Sequence, residues 1–184
     1  RSPGAVLAGA VIFLSAFLLF AVQPLTAKAL LPWFGGAASV WTTCVLAFQC
    51  LLLAGYGYSH WLSRRPSQGR IHMAIALFSL LALPILPSPS WKPLDSALPI
   101  SRILACLGAT VGIPYFLLST TSPLVSAWAA RRGMREGAYR LFGLSNAGAF
   151  LGLLGYPFLI EPNLSLRAQG LGWSALYGVL VLLL

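Results

Sequence analysis

Acidic residues are nearly missing from this chain: Asp95, Glu136 and Glu161 are the only three in 184 residues. They fall in separate connecting segments, so the sequence offers no pair of carboxylates for general acid–base work. None lies inside an apolar run, which leaves no intramembrane acid to carry a proton. Cysteine is scarce as well. Cys44, Cys50 and Cys106 sit singly inside apolar runs, an odd trio with no disulfide framework and no CxxC metal pattern. They read as small buried hydrophobes. The chain also lacks a P-loop, a GxGxxG after a strand and an HExxH. His60 and His72 flank one loop, and no nucleophile is visibly paired with either. The expectation is a chain with no catalytic, cofactor-binding or metal-binding groups of its own.

Charge of either sign is sparse. Only 8% of residues are charged and 58% are hydrophobic, whereas a soluble domain has about 25% and about 45–50%. Twelve Lys and Arg against three acids leave a formal charge of +9. In a polar chain that balance would suggest nucleic acid. In an apolar one, basic residues are topology signals in short loops, so the expected partner is the lipid bilayer and not nucleic acid.

What is present is a succession of long apolar runs. A helix needs roughly 20 apolar residues to cross the hydrocarbon core. Six candidates fit an all-α, polytopic transmembrane bundle forming one domain: residues 5–31, 38–62, 71–86, 99–118, 139–160 and 171–184. The third is short. The sixth is still apolar at Leu184, which suggests a fragment of a longer chain. Membrane strands are excluded, because they would alternate in polarity over about ten residues. Ala27-Lys28-Ala29 resembles a signal-peptide cleavage site, but the preceding run is too long for one.

Topology follows from Lys and Arg. With the N-terminus in the cytoplasm, Arg1, Arg64, Arg65, Arg70, Arg131, Arg132, Arg135 and Arg140 lie inside, and Lys28, Lys92, Arg102 and Arg167 lie outside. The positive-inside rule favours this orientation, and six spans return the C-terminus to the cytoplasm of a bacterial inner membrane. Pro87–Leu98, with Trp91, reads as an outer interfacial loop.

An internal repeat adds detail. Leu18-Leu19 and Pro24-Leu25 recur as Leu117-Leu118 and Pro123-Leu124, and Leu51, Leu53, Gly55 and Tyr56 recur as Leu151, Leu153, Gly155 and Tyr156. Three spans followed by three matching spans place the second copy inverted, a transporter-type architecture. Gln23 before Pro24, and Ser119, Thr120, Thr121 and Ser122 before Pro123, then occupy equivalent depths. They either satisfy carbonyls freed by proline or line a cavity between two broken helices. Thr42, Gln49, Tyr56 and His60 form a stripe on the second span, and Gln49 is expected to face another helix or water. Gln23, Thr42, Gln49, Ser119, Thr120, Ser122 and Asn146 are the candidate polar-cavity residues. Ser145, Gly148, Gly152 and Gly155 form a small-residue seam for helix packing, with a homodimer contact as the alternative.

Several short motifs carry a resemblance: Gln23-Pro24, Pro32-Trp33-Phe34-Gly35-Gly36, Trp41-Thr42-Thr43-Cys44, Ser122-Pro123 and Ser145-Asn146. They resemble the N-terminal membrane region of bacterial spermidine synthase-like fusion proteins. The resemblance covers most of the chain, and PWFGG with VWTTC is its most specific part. It implies a cytoplasmic Rossmann-type domain following the last span, similar to polyamine aminopropyltransferases and other S-adenosylmethionine-binding enzymes. The glycine-rich loop and acidic substrate residues of that domain have no counterpart in this chain, so no site residue carries over. The chain is then expected to anchor such a domain and to handle a small amine. The alternatives are a transporter-like carrier and an accessory subunit packed against other membrane subunits.

Overall fold

The structure, a computed structural model, describes residues 3–36, 38–93, 99–131 and 138–184. Every regular element among them is helical. Helix α1 is Pro3–Phe34, α2 is Ala38–Leu62 and α3 is Gln68–Ser79, prolonged by a 3-10 turn over Leu80–Ala82. Helices α4, Pro99–Leu107, and α5, Ile113–Arg131, are joined through a wide turn at Gly108–Gly112. Helix α6, Ala138–Gly155, continues through a second wide turn at Tyr156–Ile160 into α7, Glu161–Asn163, and α8 is Leu166–Leu183. Five of the resulting rods are long and apolar enough to cross a membrane: 3–34, 38–62, 100–131, 139–163 and 166–183.

Two expected boundaries move for one reason. The ends of the first and fourth spans, expected at residues 31 and 118, fall at Phe34 and Arg131, and neither rod breaks near Pro24 or Pro123. A proline inside a helix removes one backbone bond, and burial of the next residue, Leu25 or Leu124, keeps each rod packed. The wide turns occur instead just before Pro114 and around Pro157. The PWFGG segment ends α1: Gly35 takes φ +86°, the left-handed conformation that closes a helix C-terminus, and α2 begins at Ala38.

The third apolar segment is only partly helical. Gln68–Ala82 is 15 residues, or about 22 Å, short of a hydrocarbon core of about 30 Å. From Leu83 the chain is no longer helical, where a span to Leu86 was expected. Irregular backbone at membrane depth is tolerated only against protein. Ile85 is accordingly buried, and its N–H donates to Ser174 Oγ of α8 at 3.4 Å. Leu86 packs against Gly170 of the same helix.

Helices α1 and α5 form the centre and run antiparallel. Ser15 meets Ser122 at 3.5 Å, and Gln23 meets Tyr115 at 3.3 Å. Helices α6 and α8 flank α1, and α2 and α3 flank α5. Between helices in lipid the attraction is mainly dispersion and hydrogen bonding, so close backbone approach matters. Gly148 and Gly152 provide it. A Cβ at Gly148 would strike the Phe13 carbonyl oxygen, and one at Gly152 would lie 2.5 Å from that of Phe17. The small-residue seam therefore binds α1 within the chain rather than a second copy. Gly155 does not share in this contact, since nothing lies within 4 Å of its added carbon, and Ser145 is half-buried.

Gly148→Ala and Gly152→Ala should each destabilise the protein by about 1–3 kcal/mol, because backbone cannot yield to the added methyl. Gly143→Ala and Gly155→Ala, with open space around the added methyl, should leave stability unchanged or raise it by up to about 1 kcal/mol. Unfolding midpoints in a mixed-micelle denaturant titration check both halves.

Candidate functional site

The polar groups of the α1–α5 seam are turned inward and bonded. Ser15 is buried and its Oγ donates to the Ile12 carbonyl at 3.0 Å. Gln23 Nε2 donates to the Leu19 carbonyl at 3.4 Å and to Tyr115 Oη. Ser119 donates to the Phe116 carbonyl at 2.6 Å, and Thr120 and Thr121 donate to the Leu117 carbonyl at 2.7 and 2.8 Å. Ser59 on α2 joins them, donating to the carbonyls of Gly55 and Thr120. Hydroxyls bonded to carbonyls three or four residues back are hidden from lipid at little cost.

These groups do not merge into one polar cavity. Ser122 and Tyr115 are seven positions apart on α5, about 10 Å along the axis. Between the two crossing bonds lie Leu18, Leu19, Leu117 and Leu118, all buried. Gln23 and Ser122 therefore occupy separate points, each spent on a bond to the opposite helix.

Three other candidate residues lie on the outside. Thr42, Gln49 and Asn146 are exposed. Thr42 donates to the Ala38 carbonyl of its own helix at 2.9 Å. Gln49 was expected to face another helix or water; within the chain α2 turns a different face inward, with Val40, Cys44, Phe48, Gly55, Ser59 and Leu62 buried. Gly55 sets that rotation by admitting the Ser119 side chain, which lies where a Cβ would stand. The stripe of Thr42, Gln49, Tyr56 and His60 then points roughly the opposite way around the helix.

A cluster that sequence reasoning missed lies at one end of the bundle. A half-open groove of about 480 Å³ is lined by residues that include Leu7, Val11, Gln68, Trp128, Arg131 and Leu183. Gln68 Oε1 accepts from Trp128 Nε1 and from Arg131 Nη2, both at 2.9 Å, and Arg131 Nη1 donates to the Ser63 carbonyl at 2.8 Å. Behind Trp128 sits His72, 2% exposed, its ring edge-on to the indole at 6.0 Å. Neither His72 nitrogen has a partner among the described residues. Apolar walls with a guanidinium at the rim suit the end of an anionic amphiphile; a cationic amine meets like charge there. No sequence signal joined these residues, which come from four segments far apart in the chain.

The opposite end is held differently. Lys28 pairs with Glu161 at 3.0 Å, Lys92 Nζ lies 5.8 Å from the Trp33 ring, and Arg102 Nε donates to the Trp91 carbonyl at 3.2 Å. Nearby, Tyr156 Oη donates to Gln169 Oε1 at 2.8 Å, and Gln169 Nε2 to the Leu164 carbonyl at 2.8 Å. Deeper in the bundle, Trp173 Nε1 donates to the Leu18 carbonyl at 2.9 Å and Ser79 bonds Tyr177 at 2.6 Å. Among the described residues no three His, Cys, Asp or Glu side chains are grouped to hold a metal. No family model, curated protein or solved structure matches the chain.

Replacing His72 tests whether its nitrogens are idle. An unpartnered buried polar group costs about 1–3 kcal/mol, so His72→Leu should raise thermal stability in detergent by an amount in that range. A loss of stability would show that the imidazole bonds something in the folded protein.

Proposed function

We propose that this chain is the membrane module of a spermidine synthase-like protein, holding a soluble S-adenosylmethionine-type domain at the cytoplasmic face of a bacterial inner membrane. The observation that carries the reading is where the rods end. The start of α1, the start of α3, the end of α5 and the end of α8 all line the Arg131 groove. The opposite end gathers Lys28, Lys92, Arg102 and Glu161. On this reading the chain makes six passages between these ends, the third completed by the non-helical chain after Ala82. Arg64, Arg65, Arg70, Arg131 and Arg140 go to the groove end, which is assigned to the cytoplasm by the positive-inside rule. Arg1, Arg132 and Arg135 lie outside the described residues. A domain attached after α8 would then emerge on the same side as the arginines.

The 3+3 inverted repeat belongs to the same proposal. Gln23, before Pro24, bonds a residue eight positions ahead of Pro123; Ser122, before Pro123, bonds a residue nine positions ahead of Pro24. A two-fold axis in the membrane plane relates such reciprocal contacts. The role favoured is scaffolding. The inward polar groups are spent on helix contacts, and the groove carries a cation where an amine would need an anion or an aromatic cage.

Labelling of single cysteines in intact cells tests the topology. With the three native cysteines replaced by alanine, Ser90→Cys should react with a membrane-impermeant maleimide from outside. Ser63→Cys and Arg140→Cys should react only after permeabilisation. The reverse pattern, or labelling of all three from one side, would overturn the orientation and with it the anchoring role.

A further inference from the structure

Helix α2 presents a face that nothing among the described residues covers. Thr42, Leu46, Gln49, Leu53, Tyr56 and His60 succeed one another at steps of four and three, the spacing of a left-handed coiled-coil seam. All six are exposed, Leu53 at 72% and Leu46 at 59%. Gln49 lies eleven residues from one end of α2 and thirteen from the other, or about 16–20 Å along the helix. That is well inside a core about 30 Å thick. Its carboxamide makes no hydrogen bond among the described residues. Two N–H donors and a carbonyl acceptor thus face hydrocarbon, which offers neither.

The leucines of this seam are at home in lipid, and the amide is not. Whatever covers it must bring a donor and an acceptor at the same depth. A second copy inserted in the same orientation does so by symmetry, because a two-fold axis along the membrane normal brings Gln49 opposite Gln49 at any depth. A carboxamide is complementary to itself, each N–H donating to the partner's carbonyl. Asn146, also exposed in a span and without a hydrogen bond among the described residues, fits less well. It is eight residues from the start of α6, about 12 Å from the groove end against about 20 Å for Gln49. We propose that the chain forms a parallel α2–α2 homodimer along this seam, clasped by the two Gln49 amides. The glycine seam of α6 does not compete, being filled by α1.

Disulfide cross-linking in native membranes tests this, using the full chain with Cys50→Ala as background. Leu46→Cys and Leu53→Cys should yield covalent dimers on mild oxidation, and Leu153→Cys on the outer face of α6 should not. In lipid vesicles, energy transfer between labelled copies should report dimerisation about three- to twentyfold weaker for Gln49→Leu. Gln49→Asn should keep most of the affinity. Because Gln49 faces outward, the unfolding midpoint of either variant should not move in detergent dilute enough to keep the protein monomeric. The proposal fails if neither seam cysteine cross-links, if all three positions cross-link alike, or if Gln49→Leu dimerises as tightly as the parent.

Discussion

In hydrocarbon there is no solvent to accept a stray hydrogen bond, and most choices in this bundle follow from that. Its effect is clearest where α1 and α5 cross. Two long helices each carry a proline preceded by a polar residue, and each polar residue is answered from the other helix: Gln23 by Tyr115, Ser122 by Ser15. The leucines between these bonds fill the rest of the seam. Once the crossing is fixed, α6 settles on α1 through Gly148 and Gly152, and α2 settles on α5 through Gly55. The remaining packing depends on this pair.

The third apolar segment meets the same constraint by another route. Its helix stops at Ala82, and the non-helical backbone that follows needs partners. Ser174 of α8 receives the Ile85 N–H, and Ser79 meets Tyr177. Gly170 brings α8 close enough for Leu86 to lie against it. Helix α8 is thus both a membrane rod and the wall that makes irregular backbone tolerable beside it.

The rods were legible in the sequence because lipid demands continuous apolar runs, and only a helix satisfies such a run internally. Their ends were less so. Pro24 and Pro123 look like breaks in a one-dimensional reading, yet a helix packed on both sides loses only one bond there. The rotation of α2 was not legible at all. Its stripe of Thr42, Gln49, Tyr56 and His60 announces one polar face without saying whether that face turns in or out. Gly55 decides it, through the side chain it admits. The groove cluster was hidden for a different reason: Gln68, His72, Trp128 and Arg131 carry no spacing that relates them, and only the folded ends of α3 and α5 bring them together. Of the resemblance motifs, PWFGG has a clear structural task as the turn between α1 and α2. That task would be needed in any membrane protein with this hairpin, so the motif bears more on architecture than on chemistry.

Gln23 and Gln49 show how little residue type alone decides. Both are carboxamides on helices of similar apolarity. Gln23 points into the seam and finds the Leu19 carbonyl and a phenol; its bonds are internal, so it adds to the cohesion of the single chain. Gln49 points away from its own bundle, and the same chemistry becomes an incomplete interaction. Ser119, Thr120 and Thr121 of α5 are satisfied by carbonyls of their own helix. An amide cannot be satisfied so easily by its own helix, because it carries two donors and an acceptor on a longer arm. A bundle that pairs its buried hydroxyls internally and sends an amide outward leaves on its surface a group that a neighbouring helix can complete.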